Sequence, residues 1–68
     1  MTLRIRCGES IDDVRAWLAG SPGTVLSDRR TSVHGRVPER YEIMVEGIDR
    51  AAFAAVFASS ADVSHEVM

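Results

Sequence analysis

The sequence predicts an α+β fold with the element order β-α-β-β-α-β. Three stretches, at 2–7, 41–46 and 63–68, alternate apolar and polar residues with a period of two, the mark of half-buried strands. Two others, near 11–19 and 50–58, carry apolar residues at helical spacing behind a capping residue. At 68 residues there is room for one domain with one thin core.

In chain order, Leu3, Ile5 and Cys7 share one face of the first strand, with Thr2, Arg4 and Arg6 on the other. Gly8 ends it. Ser10-Ile11-Asp12-Asp13 fits a capping pattern, with its acids where the helix dipole favours them. Ile11, Val14 and Leu18, with Trp17 beside them, form the stripe of a helix over about 11–19, stopped by Gly20-Ser21-Pro22. A second strand opens at Gly23-Thr24-Val25-Leu26-Ser27. Its end is open: it either runs on through Thr31-Ser32-Val33 or breaks at Asp28-Arg29-Arg30. His34-Gly35-Arg36-Val37-Pro38 reads as a turn.

Tyr41, Ile43 and Val45 then alternate with Glu42, Met44 and Glu46, the clearest strand in the chain, and Gly47 ends it. Asp49 caps a second, Ala-rich helix over roughly 50–58, with Ile48, Ala52, Phe53, Val56 and Phe57 as its buried side. Val63, His65 and Val67 alternate with Ser64, Glu66 and Met68 in a last strand. Right-handed crossovers and short connections close this order as a ferredoxin-like sandwich. Its four antiparallel strands lie in the spatial order 4-1-3-2, with both helices on one face. Leu3, Ile5, Cys7, Tyr41, Ile43, Val45, Val63 and Val67 then face the helices. Arg4, Arg6, Glu42, Met44, Glu46, Ser64 and Glu66 line the open face.

Composition removes several chemistries. At 46% hydrophobic and 26% charged the chain is an ordinary globular one. It has no Lys, Asn or Gln, which excludes a Schiff-base lysine and a side-chain amide in an oxyanion hole. The eight Arg supply all side-chain positive charge, as codon bias in a GC-rich genome would produce. Ala51 to Ala58 is the longest nearly apolar stretch, short of the roughly 20 residues that span a bilayer. One cysteine makes no internal disulfide, and the strand-like N-terminus is unlike a signal peptide. A cytoplasmic protein is expected, with no membrane partner and no cofactor.

Charge is uneven along the chain. Residues 1–28 carry three Arg against four acids, residues 29–40 four Arg against Glu39, and residues 41–68 Arg50 against five acids. The basic island (Arg29, Arg30, Arg36 and Arg40) suggests a grip on phosphates of nucleic acid or a nucleotide. A net charge of −2 opposes that reading and favours a solvated hairpin whose Arg pair with the acidic flanks.

No catalytic or metal constellation emerges. Cys7, His34 and His65 are scattered and fit no zinc spacing, and Cys7 lies on core parity, where cysteine acts as a small hydrophobe. Asp12-Asp13 is explained by capping, while Glu39 with Glu42 and Ser59-Ser60 lack a catalytic context. The element order resembles that of ACT domains, acylphosphatases and RNA-recognition motifs in topology. Acylphosphatase chemistry pairs an Arg with an Asn, which this chain lacks, and the base-stacking aromatics of RNA readers are missing from Arg4-Arg6 and from 41–46. Gly8 falls in the loop where ACT-like domains bind ligands at a dimer interface.

The expected function is that of a non-catalytic interaction or regulatory module. It would present its open face or an edge strand to itself, as a homodimer, or to another protein. Arg4, Arg6, Glu42, Met44, Glu46 and Glu66 are the partner-binding candidates. The alternative is a phosphate or nucleic-acid binder working through Arg29, Arg30, Arg36 and Arg40.

Overall fold

We describe residues 1–31 and 39–68 of a computed structural model. The elements are β1 (Thr2–Cys7), α1 (Ile11–Ala19), β2 (Thr24–Arg30), β3 (Tyr41–Glu46), α2 (Arg50–Phe57) and β4 (Ser64–Val67). They form one antiparallel sheet in the order β2-β3-β1-β4, a ferredoxin-like arrangement that matches the one the sequence predicts.

Alternation places the core. Leu3, Ile5 and Cys7 of β1 and Ile43 and Val45 of β3 are wholly buried, and directly opposed residues share a face. Ile11, Val14 and Leu18 close over them from α1, and Phe53 from α2, with Ile48 just before that helix. Tyr41 and Val63 pack at the margin. His65 projects to the same side, its ring edge-on to Phe53 with centroids 5.6 Å apart.

Several expectations are corrected. Trp17 is only half-buried, edge-on to Phe53 at 5.3 Å. On α2, Ala52 and Val56 are exposed, Val56 at 55%, because an eight-residue helix turns only a narrow stripe to the sheet and Phe53 fills it. Val67 keeps core parity yet is 42% exposed on its edge strand. β2 runs through Asp28-Arg29-Arg30 and ends there, pairing Arg30 with Tyr41. Ser32 and Val33, like the turn expected over 34–38, lie outside the described residues. A bulge between Val25 and Ser27 throws Leu26 out of register, and no residue of β2 is buried.

The two helix starts differ. Asp49 caps α2 as expected, accepting hydrogen bonds from the amides of Ala51 and Ala52 at 2.9 and 3.2 Å. Ser10 precedes α1, but its hydroxyl caps nothing. That hydroxyl lies 3.5 Å from the Ser60 hydroxyl, and the loop is held by Asp62 instead. Its Oδ2 accepts the amides of Gly8 (2.9 Å) and Ser10 (2.8 Å), and its Oδ1 accepts from Arg40 (2.9 Å). A Cβ on Gly8 would stand 2.8 Å from that Oδ1, so the clamp needs a glycine there. Gly47, at φ +82°, makes the left-handed turn out of β3.

Candidate functional site

Register alone builds the open face, in three rows running across the strands. Glu42 of β3 lies between Arg29 of β2 and Arg6 of β1, with Ser64 of β4 beyond. Met44 lies between Ser27 and Arg4, with Glu66 beyond. Glu46 lies between Thr24 and Thr2. The structure thus brings Arg4, Arg6, Glu42, Met44, Glu46 and Glu66 onto one surface, where period-two alternation puts them.

Among the described residues, all the charges on this surface but that of Glu46 are paired within the chain. Arg4 donates to Glu66 through Nε at 2.7 Å and through a second guanidinium nitrogen. Glu42 receives Arg29 at 3.2 Å on one oxygen and faces Arg6 at 3.5 Å on the other. Its side chain is only 13% exposed beneath these two guanidinium groups. That partial burial pushes its carboxyl up, but the Arg29 hydrogen bond and charge, with Arg4 and Arg6, outweigh it and leave the carboxyl below its ordinary range. Arg4, Arg6 and Arg29 face Glu42, Glu46 and Glu66, so the surface is balanced, with the thioether of Met44 in its middle row.

The described arginines of the basic island each have a carboxylate partner. Arg29 is spent on Glu42 on the open face. Arg30 reaches Glu39 at 3.1 Å, and Glu39 also accepts the Tyr41 hydroxyl at 2.6 Å. That hydroxyl bond, ahead of the Arg30 contact, lowers the Glu39 carboxyl, and it raises the Tyr41 phenol. Arg40 belongs to the Asp62 clamp, and Arg36 lies outside the described residues. Each of the three described guanidinium groups of the island thus meets a different carboxylate. On the helix side, Arg15 of α1 ties down Asp28 of β2 at 2.9 Å and lies 5.2 Å over the Tyr41 ring.

Cys7 is buried, and burial, with the charge of Asp62, pushes its thiol above the ordinary value. His65 packs on Phe53, and His34 is outside the described residues. Among the described residues no three His, Cys, Asp or Glu side chains gather as a metal site. No helix among them is long and apolar enough to cross a membrane.

One surface escaped the sequence reading. From Ala51 to Phe57 α2 has no polar side chain, so its solvent side is as apolar as its packed side. The signal was present as a helical segment lacking the polar half that an amphipathic helix carries. No family model matches this chain, and no curated protein matches it.

Proposed function

We propose that this chain is a small non-catalytic binding module that works through the open face of its sheet, with a second copy of itself as the first partner. The observation that carries the reading is the balanced, pre-formed ion-pair lattice around Met44. A two-fold contact requires a patch that complements itself, and a patch holding both signs offers the charges for that. Glu42 and its arginines are ordered before any partner arrives, which reduces the side-chain entropy lost on docking. Met44 supplies an apolar centre to a polar rim. A core on one side of the sheet leaves the other side free to dock, and burying it would steady so small a domain.

Sedimentation at about 50 μM, enough to populate a micromolar dimer, is expected to show a dimer. Met44→Glu is expected to return it to monomer. A dimer indifferent to Met44→Glu would instead use the β4 edge, where Val67 is exposed, and would overturn the face. A monomer persisting at about 1 mM would exclude self-association by either route.

A further inference from the structure

A second surface, independent of the sheet face, lies along the seam between α1 and α2. The helices run antiparallel, with Asp13 level with Phe57 and Ser60 at one end and Gly20 to Pro22 level with Asp49 and Ala52 at the other. Two depressions of about 550 and 430 Å³ lie along this seam and meet at Ala16 and Trp17, which line both. Val56, Phe57 and Ala52 continue the apolar lining, and Val56 is 55% exposed.

The charges that line this groove have one sign. Asp13 lines one end and Asp49 the other, and no Arg lines either depression. Of the two arginines on these helices, Arg15 is held away by Asp28, and Arg50 is exposed outside the lining. Among the described residues neither Asp13 nor Asp49 is in an ion pair. A second copy fits this groove poorly, because a two-fold contact would lay carboxylates beside carboxylates.

We infer that the α1/α2 seam is a docking groove for a basic amphipathic helix of another protein. Apolar side chains at i, i+3 and i+4 would fill the depressions on either side of Trp17. The seven steps from Asp13 to Gly20 span about 10 Å of helix axis, so basic residues about two turns apart would reach Asp13 and Asp49 together. This groove and the open face lie on opposite sides of the sheet, and neither inference depends on the other.

Trp17 is the only tryptophan, so its emission reports occupancy directly. The probe is an amphipathic peptide of about 14 residues with Leu on one stripe and Arg two turns apart, set against the same peptide with Glu for Arg. The basic peptide is expected to shift Trp17 emission saturably, more weakly as salt rises, and the acidic one not to bind. Asp13→Arg is expected to weaken binding about fivefold or more, and Val56→Glu, at an exposed position, to abolish it. Met44→Glu is expected to leave it unchanged, which separates failure here from failure of the dimer. Equal binding of both peptides, binding untouched by Val56→Glu, or none by the basic peptide at about 1 mM would overturn the inference. A Trp17 shift that follows protein concentration without peptide would overturn it in favour of a second copy.

Discussion

The two faces of the central strands are made from the same twelve residues, taken alternately. On the helix side Leu3, Ile5, Cys7, Ile43 and Val45 have no exposure at all. One position along, Arg4, Arg6, Glu42, Met44 and Glu46 face the open side, where Arg6 pairs with Glu42 and Arg4 with Glu66 of β4. The difference teaches where stability resides and where the proposed recognition would. Burying apolar area is worth more than pairing charges in water, so the dry face holds the fold and the other face is left for the proposed contact.

Adjacent substitutions on β3 break that comparison most sharply. Ile43→Ala should cost about 2–5 kcal/mol, enough to unfold much of a marginally stable domain. Met44→Ala, its neighbour on the other face, should cost under about 1 kcal/mol. Urea denaturation of both variants is the measurement, and equal costs would mean that the register is wrong.

The Asp62 clamp comes next, since it ties the loop after β1 to the segment before β4. Asp62→Ala leaves the amides of Gly8 and Ser10 without their carboxylate and should cost about 1–2 kcal/mol. Gly8→Ala should act in the same direction, as its Cβ would press on Asp62. A denaturation midpoint unmoved by either change would show that the loop holds without the clamp.

Acid sharpens the same point. The Ser10 amide first, then the Gly8 amide, the Ser10 hydroxyl and Arg40, outweigh partial burial and hold the Asp62 carboxyl below its ordinary value. A lowered folded-state pKa contributes stability that is present above the unfolded value of about 3.9 and lost as pH falls through the folded one. Urea midpoints followed from about pH 6 to about pH 2 should fall, and Asp62→Asn should flatten that fall. Glu39 and Glu42, lowered by their hydroxyl and arginine partners, should sustain a residual slope.

The smallest effect belongs to the open face. Glu42→Gln should move the midpoint less than Asp62→Ala does, and the difference from the parent protein should shrink further in high salt. A larger shift than that of the clamp would mean that the lattice holds the fold together, against the division drawn between the faces.

Much of this architecture was legible in local pattern. Alternation along 2–7 and 41–46 names both faces of the sheet, because successive side chains on a strand must point oppositely. The six partner-binding candidates share one surface for the same reason. Asp49 was readable as a cap because its acceptor lies within three residues of the amides it serves. Ser10 carries the same local signal, yet its hydroxyl caps nothing, and its amide goes to Asp62, 52 residues away. The end of β2 was equally hidden, since Asp28-Arg29-Arg30 has no strand pattern and is held by pairing with β3 and by Arg15.

The sequence by itself determined the element order, the parity of each strand and the residues available to the core. Each of these follows from backbone geometry acting over a few neighbours. Only the tertiary structure decided which carboxylate each arginine meets, that Trp17 and Val56 stay at the surface, and that Asp62 rather than Ser10 secures the start of α1. Those outcomes depend on which distant groups arrive at a given side chain, and on how narrow a stripe two short helices can cover.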